Sequence, residues 1–109
     1  MMRQRLTERI TIEAPTETKS ATGAKVETWS TFAERWAEVI PQNSQRFERL
    51  RVDHDGVTAM YRIRGRLAVT PKMRVVHLGR TFAIDGMECE GNRPPESAEL
   101  ITLICSGDQ

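Results

Sequence analysis

A chain of 109 residues, 39% hydrophobic and 28% charged, is sized for one domain over residues 1–109 with a modest core, and no apolar run is long enough for a membrane span. Its net charge of +1 argues against a uniformly basic protein that coats polyanions, and its two cysteines are too few for a disulfide scaffold. The basic start, Met1-Met2-Arg3-Gln4-Arg5, has no apolar signal region behind it, so the protein is expected to stay in the compartment where it is made.

Period-two patterning dominates the chain. Residues 6–13 read as a first strand, with Leu6, Ile10 and Ile12 on one face and Glu8 interrupting it. Residues 14–25, rich in Pro, Thr, Ser and Gly, read as a long hairpin loop with Gly23 at its tight bend. A short second strand carries Trp29, and Phe32 and Ala33 form a corner. A third strand over residues 34–40 is expected to turn Ala37 and Val39 inward, with Trp36 covering an edge or an end of the core. Pro41 offers no amide donor and stops the pairing. Asn43 and Ser44 then cap a helix of two turns at most, packed through Phe47 and Leu50, with Arg49 on its far side.

Residues 57–67 form the clearest strand. Val57, Ala59, Tyr61, Ile63 and Leu67 alternate with Arg62, Arg64 and Arg66. Residues 73–78 and 81–85 read as two strands joined by Gly79-Arg80 in a tight hairpin. Residues 91–95 form a loop. The run Leu100-Ile101-Thr102-Leu103-Ile104 closes the chain as a largely buried strand. Six to seven short strands, one short helix and no alternation of strand and helix point to an all-β fold, a small antiparallel barrel or rolled sandwich.

The near-zero net charge hides a segregation. Residues 56–84 carry Arg62, Arg64, Arg66, Lys72, Arg74 and Arg80 with no acid, whereas residues 85–109 carry Arg93 against Asp85, Glu88, Glu90, Glu96, Glu99 and Asp108. The basic block Arg62, Arg64, Arg66, Lys72 and Arg74 is a candidate surface for DNA or a neighbouring subunit. Glu88, Glu90, Glu96 and Glu99 form a candidate acidic interface. The two blocks either neutralise each other within one barrel or form complementary halves of an interface. On a strand, the three arginines stand about 7 Å apart, near the phosphate spacing of one DNA strand. This row also suits a solvated strand face paired with acids such as Glu99.

Catalytic chemistry is not apparent. The triplet Asp53-His54-Asp55 is better read as an exposed turn, because three consecutive residues do not easily converge on one ion. His77 reads as a surface or edge histidine. Cys89 lies between Glu88 and Glu90, whose charges disfavour a thiolate. The expectation is a protein that is not an enzyme and holds no metal or cofactor. The long connection over residues 41–56, with Arg46, Arg49 and Arg51, is of the kind that often carries function.

Six segments in order carry a family resemblance: Arg-Ile-Thr-Ile at 9–12, Glu-Thr-Trp at 27–29, Trp-Ala-Glu-Val at 36–39, Tyr-Arg-Ile-Arg at 61–64, Thr-Pro-Lys-Met-Arg-Val at 70–75 and Gly-Arg-Thr-Phe-Ala-Ile at 79–84. Together they resemble the phage head–tail joining family, the head-closure or stopper proteins of long-tailed phages, prophages and gene transfer agents. The resemblance implies a small barrel subunit, made in the host cytoplasm and placed at the neck of the virion. There it forms a homo-oligomeric ring below the portal and adaptor, closes the channel on packaged double-stranded DNA, and meets the tail terminator. It also implies that residues 41–56, with Arg46, Arg49 and Arg51, face the channel. Arg66, the short turn after it and the acidic loop over residues 88–97 depart from the family pattern. A competing reading is an oligonucleotide-binding barrel that uses the Arg62, Arg64 and Arg66 face, although such modules usually stack bases on aromatic side chains.

Overall fold

The computed structural model describes residues 8–19, 21, 23, 25–52 and 56–107. Leu6 and the Asp53-His54-Asp55 triplet lie outside the described residues. Six antiparallel strands close into a barrel: β1 (Glu8–Lys19), β2 (Lys25–Val39), β3 (Val57–Arg64), β4 (Arg74–His77), β5 (Arg80–Cys89) and β6 (Leu100–Ser106). Around the barrel the order is β1-β2-β3-β6-β5-β4, with β4 pairing back onto β1. One helix, α1 (Gln45–Arg51), follows β2, and a 3-10 turn at Glu90–Asn92 follows β5.

Alternation fills the barrel. Ile10 and Ile12 of β1, Ala37 of β2, Tyr61 and Ile63 of β3, and Ile101, Leu103 and Cys105 of β6 are among the residues of one buried cluster. A second cluster lies outside the barrel wall, where Phe47 of α1 packs with Ile40, Val57, Met60 and Ile104, flanked by Leu50. Met60 and Ile104 are cross-strand partners that point away from the interior residues beside them. The helix covers them, so Ile104 is buried on the outer wall as Ile101, Leu103 and Cys105 are in the interior.

Ser44 caps α1 as expected: its hydroxyl accepts from the Phe47 amide at 3.1 Å. A seven-residue helix has little stability of its own. Ser44→Ala is therefore expected to cost about 1 kcal/mol, read as a lower urea midpoint. An unchanged midpoint would show that the cap is dispensable.

Several boundaries differ from the sequence reading. The expected loop over residues 14–25 is largely strand, because β1 and β2 stay paired from Glu8 opposite Ala37 to Lys19 opposite Lys25. Gly23, at φ +87°, does sit in the turn. The expected second and third strands are one strand, and the corner at Phe32 is a bulge: Ile12 pairs with Ala33 and Glu13 with Thr31, which leaves Phe32 over. Val39 is exposed and Ile40, one residue on, is buried beneath the helix. A shift between Val57 and Ala59 moves Val57 to the outer cluster. The tight turn is Leu78-Gly79, both with positive φ, rather than Gly79-Arg80, and it is closed by the pair His77 and Arg80. This geometry is the type I′ hairpin, which twists with its strands.

Candidate functional site

β3 ends at Arg64, so the expected row of three strand arginines is a row of two. Arg66 follows Gly65 with φ +60°, off the strand. Arg62 and Arg64 stand on the outer wall, where register sets Arg62 beside Thr102 and Arg64 beside Leu100. On the far side of β6, Glu88 also lies beside Thr102, and Glu38 of β2 lies beside Arg62. One lateral row therefore reads Glu38, Arg62, Thr102, Glu88. The basic and acidic blocks are neighbours on one wall, two strand spacings apart, or about 10 Å.

Charge on this wall is partly matched. Glu38 meets both Arg46 of α1, at 3.3 Å, and Arg62, at 4.0 Å. Arg62 Nε is buried without a hydrogen-bond partner. Arg66 and Glu99, both largely exposed, lie 4.0 Å apart and join the two blocks. Arg51 pairs with Glu48 one helical turn away, at 2.7 Å. Arg64, Arg49 and Lys72 are exposed, as are Glu88, Glu90 and Glu96. Arg49 and Arg93 rim a cleft of about 750 Å³, whose lining also includes Leu50, Thr70, Met87 and Ile104.

Arg74 is placed differently from the other basic candidates. Its Nε donates to Glu13 Oε1 at 2.7 Å, and its guanidinium lies 4.1 Å from the centre of the Trp29 ring. This pair locks β4 to the point where β1 and β2 leave the barrel together. Sequence reasoning placed a hairpin here but missed both the lock and the length over which the two strands stay paired. The available signal was the β-branched spacing Thr16, Thr18, Val26, Thr28, which suits a strand better than a loop.

His77 is not a surface histidine. The Tyr61 hydroxyl lies 3.1 Å from Nδ1, and Nε2 lies 3.2 Å from Glu8 Oε1. A carboxylate only accepts, so Nε2 donates to Glu8. Both ring nitrogens are thereby engaged. Among the described residues no cluster of three or more His, Cys, Asp or Glu is arranged to hold a metal ion. No described helix is long and apolar enough to cross a membrane.

Burial, reinforced by the charge of Cys105, pushes the Tyr61 phenol up to about 12; Arg80 opposes the shift and Glu8 adds to it. Burial and then Asp85 raise the Cys105 thiol from its ordinary 9.0 to about 12. Each group keeps its proton in the folded chain at a pH where the unfolded chain releases it. Their stabilisation is complete below about pH 9 and falls as pH rises toward 12. Urea midpoints at about pH 8 and about pH 11 are expected to show the decline, and equal midpoints would contradict it. Burial, followed by Glu96 and Glu88, also raises Cys89, which makes it a poor nucleophile.

The sequence model of the phage head completion protein family matches residues 1–106. The chain belongs to that family. Membership gives it a structural role in completing the phage head and a place in the particle, a role that implies no enzymatic activity. No curated protein matches the sequence.

Solved structures share the barrel. Protein SF1141 from Shigella flexneri 2a, solved in solution, superposes with a TM-score of 0.64 at 23% identity, covering 97% of this chain and 96% of that one. A chain from the virion of a native gene transfer agent particle superposes with a TM-score of 0.58 at 18% identity, covering 94% of each.

Proposed function

We propose that this head completion protein works as a ring of identical subunits below the portal and adaptor, where it closes the DNA channel after packaging and presents the surface on which the tail docks. The observation that carries this reading is the family match over residues 1–106. The geometry is consistent with it: a closed barrel offers a rigid body, and two elements stand outside the barrel wall. One is the β1–β2 hairpin; the other is the helix α1 that follows β2. The gene transfer agent neighbour, a chain of a virion, supports the same setting.

In this reading the segment over residues 41–56 lies toward the channel and offers Arg46, Arg49 and Arg51 to packaged DNA. Arg62, Arg64, Arg66 and Lys72 meet the acidic residues Glu88, Glu90, Glu96 and Glu99 of a neighbouring subunit or of the adjoining ring. Heterologous contacts of this kind repeat by rotation and close a ring.

Particles assembled without the chain test the reading. DNA-filled heads that leak their genome and carry no tails are expected, whereas infectious tailed particles would overturn it. The oligonucleotide-binding reading has less support, because Arg62 shares Glu38 with Arg46 and Tyr61 lies in the barrel interior. Salt-sensitive binding of single-stranded DNA that Arg64→Ala weakens would favour it instead.

A further inference from the structure

β5 has a neighbour along its whole length on one side only. On the other side β4 pairs with it from Arg80 to Ala83. The Ile84 amide still donates to Met73 O at 3.4 Å, but there the chain before β4 turns away, with the Met73 amide donating back to Thr70 O at 3.1 Å. Asp85 is the extra residue of a register shift. From Gly86 to Cys89, β5 pairs with β6 alone among the described residues. Four residues at strand rise make about 13 Å of open edge. Such an edge presents unpaired amides and carbonyls and is a template for one more strand.

This edge opens onto the cleft of about 750 Å³, which is lined by Met87, Glu88 and Cys89 of β5. The cleft is apolar on both faces of the strand. On the inner face Val69 belongs to the interior cluster and Met87 packs against it. On the outer face Ile104 belongs to the cluster under α1, with Leu50 at its margin. The lining carries two guanidiniums, Arg49 and Arg93, against one carboxylate, Glu88. Both arginines are exposed, and no ion pair among the described residues engages either.

We propose that this cleft binds an extended segment of another protein, which adds a strand beside residues 86–89 of β5. Main-chain hydrogen bonds to the open edge supply affinity, and side chains at alternate positions supply selectivity. Apolar side chains on one face of the segment meet Val69 and Met87. Acidic side chains between them answer the excess positive charge of Arg49 and Arg93. A second copy of this chain is a poorer occupant. Pairing edge to edge would bring Asp85 and Glu88 of both copies together, and like charges across a strand pair destabilise it. Of the three helix arginines only Arg49 lines the cleft, and it is assigned here to the segment rather than to DNA. This contact needs no ring of subunits.

The test uses the whole chain and a synthetic probe, acetyl-Glu-Val-Asp-Val-Glu-Val-amide, at about 1 mM. Amide exchange within residues 86–89 is expected to slow about tenfold or more. Arg49→Glu combined with Arg93→Glu, both on the surface, is expected to weaken binding about tenfold while the urea midpoint stays within error. Replacing the central Val of the probe by Pro removes an amide donor and is expected to abolish the protection. Equal binding of a probe with Lys in place of each acid would overturn the acidic assignment. Protection that survives the Pro probe, that falls on other strands, or that does not occur would overturn the strand addition. A dimer of the chain alone that protects the same amides would give the edge to a second copy and also overturn the proposal.

Discussion

Gly65→Ala is expected to cost about 3 kcal/mol or more of stability. A Cβ built at this position collides with the Ala98 carbonyl oxygen and lies 2.8 Å from its carbon. Both atoms are backbone, so no rotamer change makes room. The two segments are tied by short bonds, with the Gly65 amide donating to Glu99 O at 2.7 Å and the Arg66 amide to Ala98 O at 2.8 Å. Separating them to admit a methyl group breaks both bonds and withdraws Ala98, which is fully buried, from the core. Measured against a typical domain stability of about 5–15 kcal/mol, that loss is large. Urea unfolding would show it as a lower midpoint, and a midpoint equal to the parent's would refute the close approach. Gly23→Ala is the useful contrast: nothing lies within 4 Å, so only its positive φ is penalised, at about 1 kcal/mol.

Phe47→Ala is expected to release the connection over residues 41–56 while the barrel persists. Truncating a buried phenylalanine costs about 3–5 kcal/mol. Here the loss falls on a helix of seven residues held to the wall mainly by Phe47, with Leu50 at the margin of the same cluster. The interior cluster shares none of these residues. Amide exchange of residues 48–51 is therefore expected to speed up by about two orders of magnitude or more, while Ile101, Leu103 and Cys105 stay protected. Uniform loss of protection would show instead that the helix and barrel unfold as one unit. Under the proposed closure role, particles carrying this variant are expected to package DNA and then lose it, whereas full retention of packaged DNA would show that the helix is not needed for closure.

The sequence was most informative where one local rule sufficed. Alternation placed Ile10, Ile12, Tyr61 and Ile63 inside, and the continuous apolar run at residues 100–104 marked a strand buried on both faces. Ser44 was legible as a cap because capping is a matter of one hydroxyl and one amide. The misreadings cluster at irregularities. The bulge at Phe32, the shift after Val57 and the positive φ of Arg66 each change which face the next residue takes, and period-two reasoning carries no term for an extra residue.

The candidate surfaces divide along the same line. The basic and acidic blocks were visible in the order of charges, but their distance apart was not. Only the barrel order β3-β6-β5 sets Arg62 and Glu88 on either side of Thr102. Arg74 looked like its neighbours until long-range pairing brought Glu13 and Trp29 against it.

By itself, then, the sequence determined the all-β class, the alternating core residues Ile10, Ile12, Tyr61 and Ile63, the short capped helix and the resemblance to head-closure proteins, because each rests on local periodicity, single caps or ordered motifs. The tertiary structure decided that residues 14–19 and 25–30 form an arm beyond the barrel, that Arg74 anchors it, and that the opposite charges share a wall. Strand pairing joins residues far apart in the chain, and its register is fixed by closure of the whole barrel rather than by any one segment.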